Sequence, residues 1–141
     1  MQKSGSLHIT KKTEYGLFIL ATLAKKRKEN HISIRTIAKE NQIPLPFLQK
    51  IANSLQKNGL IKSERGKYGG HMLAKTANKI TVREVVEALE GEVAITPCSG
   101  KNSKECKRAK FCEIKKSMHK INEVIRDHFL SKTIDKIISK Q

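Results

Sequence analysis

The sequence predicts a mostly α-helical fold with one small β wing. Three observations carry that reading. Successive segments place apolar residues at helical spacing, as in "GLFILATLA" and "FLQKIANSL". A glycine-rich stretch, "GKYGG", joins two short runs of β character. Beyond the last cysteine, Ile114, Met118, Ile121 and Ile125 step by four, three and four, the seam of a helix that packs on another helix.

The elements follow in order. Lys11 to Lys26 reads as a helix that is apolar almost all round and therefore deeply buried, with Thr10 or Thr13 as its cap. A second helix begins at Ser33, a good N-cap, and turns Ile34, Ile37 and Ala38 inward. "NQIP" ends it. A third runs from Leu45 to Asn58, with Phe47, Leu48, Ile51, Ala52 and Leu55 inward and Gln49, Lys50 and Asn53 outward. Gly59 stands where a helix C-terminal cap belongs. "LIKSER" and "HMLAK" form the β ribbon. Thr81 and Glu84 open a fourth helix in capping-box spacing. A loop holding every cysteine comes next, then a long helix from about Glu113 to Leu130 and a short terminal helix with Ile134, Ile137 and Ile138.

Composition bounds what such a chain does. Its 141 residues, 38% of them hydrophobic, suit one compact domain with room for an appended element. No run of about 18 apolar residues exists, so no membrane-spanning helix is expected. "MQKSGSLHITKK" lacks an apolar signal core, which predicts a cytoplasmic protein with reduced thiols. The formal charge is +16 and the pI about 10.0, a field that favours polyanions. Tryptophan is absent, so a stacking platform for single-stranded bases is not expected. With no nucleophile–base pair and no phosphate-binding glycine loop, an enzyme is not expected either.

Helix, helix, helix and a two-stranded ribbon is the order of a winged helix-turn-helix, predicted over residues 7–92. Its third helix would enter the major groove of double-stranded DNA, where Gln49 and Asn53 match adenine and Lys50 matches guanine. Arg65, Lys67 and Tyr68 in the wing would reach phosphate or the minor groove. A basic RNA-binding protein, driven by charge alone, is the competing class.

The cysteine loop, residues 93–112, spaces Cys98, Cys106 and Cys112 as C-x7-C-x5-C. That is neither a zinc ribbon nor a ferredoxin run. Three readings compete: free thiols, zinc held by three Cys with His119, and an iron–sulfur cluster. Lys101, Lys104, Lys107, Arg108 and Lys110 would stabilise thiolates and offset a cluster's negative charge.

"ITKKTEYGLFILATLA", "IRTIAKENQIPLPFLQKIANSLQKNGLI", "SERGKYGGHMLA" and "ITVREVVEALEG" resemble, in order, successive blocks of the Rrf-two (Rrf2) family of bacterial transcription factors. The "RGKYGGHMLA" wing is the most specific piece. The resemblance implies a homodimer clasped by a dimerisation helix in residues 113–141, and an operator of two-fold symmetry. It also implies an iron–sulfur cluster, 2Fe–2S or 4Fe–4S, on Cys98, Cys106 and Cys112, as in the family's IscR-like and NsrR-like branches. The first branch takes its fourth ligand three residues after the third cysteine, where this chain has Lys115. The second takes an acidic residue near the partner's N-terminus, which points to Glu14, with His8 and His119 in reserve. Pro46 departs from the family, whose members often place Ser there to contact DNA. The implied function is transcriptional regulation that senses redox state, nitric oxide or iron–sulfur status. The alternative is a cluster-free repressor that senses thiol oxidation or a partner protein.

Overall fold

The structure, a computed structural model, describes residues 9–26, 31–67, 69–99, 106–108, 110–129 and 131–138. Helix α1 spans Lys11–Lys25 and is capped by Thr10, whose hydroxyl accepts from the Thr13 amide at 3.3 Å. Thr13, the other cap candidate, is buried, and its hydroxyl donates to the Glu90 carboxylate at 3.1 Å. Ile19, Leu20 and Leu23 face the core, but Lys11, Lys12, Phe18 and Lys25 are exposed. The helix is thus buried on one side only, contrary to the expectation from its near-continuous apolar run.

Helix α2, Ile34–Glu40, starts at Ser33, whose hydroxyl accepts from the Thr36 amide at 3.0 Å. The turn after it places Gln42 at φ 54°, a left-handed conformation that costs about 1–2 kcal/mol for a residue with a β-carbon. A hydrogen bond from the Ile43 amide to the Ala38 carbonyl, 2.9 Å, closes the turn. Pro44 then caps α3, Leu45–Lys57, whose Leu48, Ile51, Ala52 and Leu55 are buried. Phe47, expected inward, is instead 40% exposed. It sits beside the buried stripe and meets the Tyr15 ring edge-on, with centroids 5.6 Å apart. Gly59, at φ +72°, terminates the helix as its position suggested.

Strands β1, Ile61–Glu64, and β2, Gly70–Leu73, pair antiparallel with Ile61 opposite Leu73 and Glu64 opposite Gly70. A third backbone segment joins them. The Ile32 amide donates to the His71 carbonyl at 3.0 Å, and the His71 amide returns a bond to Ile32 at 2.7 Å. The wing is therefore rooted in the segment that leads into α2.

Helix α4, Val82–Glu90, carries the full capping box of Thr81 and Glu84. Its far end is tied to the start of α1, because Lys12 Nζ donates to the Leu89 carbonyl at 2.6 Å. Helix α5 spans Lys115–Val124 and continues as a π-turn, Ile125–Phe129, while Leu130 lies outside the described residues. A short helix α6, Ile134–Ile137, returns to the winged module. The Ile134 amide donates to the Ile80 carbonyl at 2.9 Å, and the Ile134 side chain is fully buried in the core, where α6 packs on α1 and on the turn Ala77–Lys79. Ile137, in contrast, is exposed. Among the described residues no helix is long and apolar enough to cross a membrane.

Candidate nucleic-acid interface and cysteine segment

Burial of Leu48, Ile51 and Leu55 leaves the opposite side of α3 to solvent, and Gln49, Lys50 and Asn53 stand there exposed. Gln49 Nε2 donates to Asn53 Oδ1 at 3.2 Å, so the two amides hold each other one helical turn apart. Gln56 Nε2 donates to Ser63 Oγ at 3.1 Å and ties α3 to β1. This fixes the helix relative to the ribbon. Arg65 and Lys67 are exposed at the wing tip, and Tyr68 lies outside the described residues. The structure adds Lys62, exposed on β1, which sequence reasoning passed over; its place three residues before Arg65 in the ribbon was the available signal. Pro46 occupies the second position of α3 and is exposed. It offers the helix start a rigid ring in place of a hydroxyl.

Two imidazoles sit at the root of the wing. His31 and His71 line one cleft of about 320 Å³ with Leu23, Met72 and Lys75. Burial holds the His71 pKa below the usual histidine value, and the nearby His31 lowers it further. His31 Nε2 lies 3.4 Å from the Glu64 carboxylate but is not aligned for a hydrogen bond, so the contact is a charge pair only when His31 is protonated.

The cysteine segment leaves α4 through an anchored stretch. Cys98 is buried. Thr96 Oγ1 lies 3.2 Å from its sulfur and 2.6 Å from Ser99 Oγ. The preceding Ile95 amide donates to Asn122 Oδ1 of α5 at 3.0 Å. Cys106 and Cys112 are half-buried, and all three thiols are free. Lys107, Arg108 and Lys110 are exposed around them, while Lys101 and Lys104 lie outside the described residues.

Three thiols are the right donor chemistry for iron or zinc. Among the described residues, however, no three His, Cys, Asp or Glu side chains come together to hold a metal ion. The arrangement described does not gather Cys98, Cys106 and Cys112 into one ligand set. Glu14, on the first turn of α1, pairs with Lys11 at 3.0 Å. Lys115 opens α5 and brings no imidazole to the third cysteine. His119 has a buried Nε2 without a hydrogen-bond partner among the described residues, and His8 lies outside them.

Known proteins share this fold. The Rrf2 family profile, described as an iron-dependent transcriptional regulator, matches residues 9–140. The regulator IscR of Pectobacterium atrosepticum is 28% identical over 135 residues, covering 96% of this chain and 81% of that protein. CymR of Bacillus subtilis is 36% identical over 88 residues, 62% of this chain and 64% of that protein. The solved structure of B. subtilis CymR, described as a global cysteine regulator, superposes with a TM-score of 0.74 at 28% identity and covers 94% of this chain and 97% of that one. The structure of T. potens IscR gives 0.72 at 26% identity, with 94% and 86% covered. A winged helix-turn-helix with this order of elements, matched by the profile from α1 to beyond α6, places the chain in the Rrf2 family of transcriptional regulators.

Proposed function

We propose that the chain works as a homodimer on duplex DNA of two-fold symmetry, and that the state of its three cysteines sets operator affinity. The observation that carries the first part is the exposed polar face of α3 braced against a basic wing. Gln49, Lys50 and Asn53 read base edges, while Arg65 and Lys67 contact backbone or minor groove. Support for the dimer comes from α5, which leaves Ile114, Ile121 and Val124 to solvent at 60%, 44% and 59% exposure. A second copy would cover that row. Because the cysteine segment is hydrogen-bonded to α5, a change at the cysteines alters how two copies meet, and with it the spacing of two α3 helices.

We favour thiol oxidation as the signal, supported by three free thiols and by the likeness to CymR, described as a global cysteine regulator. The second reading is an iron–sulfur cluster on Cys98, Cys106 and Cys112, with the partner subunit's Glu14 as fourth ligand. It is supported by the donor set and by the iron-dependent description of the family. It requires Cys98, Cys106 and Cys112 to come within reach of one cluster.

One purification separates the two. Protein prepared without oxygen from iron-replete cells is assayed for iron, sulfide and zinc, and its affinity for a selected duplex is measured before and after thiol oxidation. Stoichiometric iron and sulfide support the cluster. Metal-free protein whose affinity changes on oxidation supports the thiol sensor. Lys50→Ala should erode discrimination between selected and random duplex by about 1–3 kcal/mol. Stronger binding to structured RNA than to any duplex would overturn the DNA reading.

A further inference from the structure

Asn122 sits in the last turn of α5 and is only 2% exposed. A buried amide is costly unless hydrogen-bonded, and an aliphatic residue would fill the same stripe beside Met118 and Ile125 without that cost. What a leucine does not do is hold the Ile95 amide, which donates to Asn122 Oδ1 at 3.0 Å. Ile95 leads directly into Thr96, whose hydroxyl lies 3.2 Å from the Cys98 sulfur. On the other side of Asn122, its neighbours Ile121 and Val124 point to solvent. A short path thus runs from a buried thiol, through one backbone amide, to the helix carrying the exposed apolar row.

We propose that Asn122 is the positioning residue through which the chemical state of Cys98 reaches α5. The proposal rests on the reading of the cysteine segment as the sensory element. Cys98 is 8% exposed, so a bulky group added to its sulfur meets protein before solvent. A bulky adduct on the sulfur is expected to displace the turn at Pro97–Ser99 that carries it. That turn is joined to Ile95, and the Ile95–Asn122 bond either carries the displacement to α5 or breaks.

The test uses a background of Cys106→Ser and Cys112→Ser, which leaves Cys98 as the only thiol of three. Dithiobisnitrobenzoate is the probe. The Cys98 thiolate attacks the reagent's disulfide, a protein mixed disulfide forms, and one nitrothiobenzoate leaves with the electron pair of the broken S–S bond. Release of that coloured thiolate gives the rate, and duplex affinity is measured before and after. In the background protein, modification should change duplex Kd by about tenfold, a typical coupling between sites. With Asn122→Leu added, the unmodified protein should keep its Kd within about twofold. Its thiol should react several times faster, and modification should no longer change Kd. Asn122→Asp, which still accepts from the Ile95 amide, should restore slow reaction and the Kd change. A purely structural role would lower affinity in the unmodified Leu variant and leave the modification effect in place. A Kd change that persists undiminished in Asn122→Leu would overturn the coupling while sparing the sensory reading. No Kd change in the fully modified background protein would overturn the coupling, and the sensory reading falls only if the three-cysteine protein also holds no iron and keeps its affinity on thiol oxidation. If Asn122→Leu fails to fold, slow reaction and an intact Kd change in Asn122→Ala would likewise overturn the proposal.

Discussion

Gly70 lies where a β-carbon would stand 2.8 Å from the Ile32 carbonyl carbon and 2.9 Å from its oxygen, with φ at +150°. Both constraints act together: the added carbon meets backbone, and the conformation is one that side chains resist. Gly70→Ala should destabilise the chain by roughly 2 kcal/mol or more and detach Ile32 from the wing, seen as a lower urea midpoint and faster exchange of the His71 amide. The "GKYGG" stretch was legible as a hairpin tip. The closer reason for its last glycine was not, because Ile32 is remote in sequence and nothing local marks its approach. His71 supplies a second test at this scale. Its folded pKa lies below the unfolded value of 6.5, so the unfolded chain binds the proton more readily. The stability that neutral His71 contributes is present above pH 6.5 and is lost as pH falls through the folded value. His71→Gln should flatten that part of the stability–pH curve in urea titrations below neutrality. A wild-type midpoint that rises towards acid would contradict the sign. The exposed face of α3 was readable for a simple reason: a 3.6-residue period that buries Leu48, Ile51 and Leu55 must expose Gln49, Lys50 and Asn53. Phe47 escaped that logic because an aromatic ring at the margin of a stripe can pack sideways, here on Tyr15.

Helix starts and stops were the most legible elements, since caps are local chemistry. Ser33, Thr10 and the Thr81–Glu84 box all act as their side chains allow. Which side of α5 faces out was less legible. The spacing of Ile114, Met118, Ile121 and Ile125 fits a seam, but two adjacent stripes share that spacing and only packing chooses between them. Met118 and Ile125 are half-buried against their own chain, whereas Ile114 and Ile121 are joined at the surface by Val124, and Phe111 just before the helix is 83% exposed. The substitutions Ile121→Glu and Met118→Glu should therefore fail differently. The first should give folded monomers with weak duplex binding. The second should lower the urea midpoint, because it buries a charge within one chain. Light scattering and denaturation on the two variants decide the matter. A folded dimer from Ile121→Glu would remove the exposed row as the interface.

Across the whole molecule the sequence left one connection unreadable. The sequence marks a short terminal helix at Ile134, Ile137 and Ile138 but not its partner: Ile134 enters the core of the winged module and bonds to Ile80. No periodicity announces a contact between segments so far apart. The convergence or separation of the three cysteines is hidden for the same reason, since spacing in a loop does not fix distance in space. Ile134→Ala should cost about 2–5 kcal/mol, as for a fully buried aliphatic side chain, with a matching fall in the urea midpoint. A shift below about half a kcal/mol would show that α6 is dispensable to the core. The same contact governs the order of events while the chain is being made. Every element of the proposed DNA-binding surface has been synthesised by Leu73, yet the place that Ile134 takes in the core stays open until α6 leaves the ribosome. During that interval the nascent chain exposes an apolar groove to its neighbours, a period in which association competes with folding. Because α6 follows the other described elements in the chain, the core of the winged module is completed only once α6 has been made.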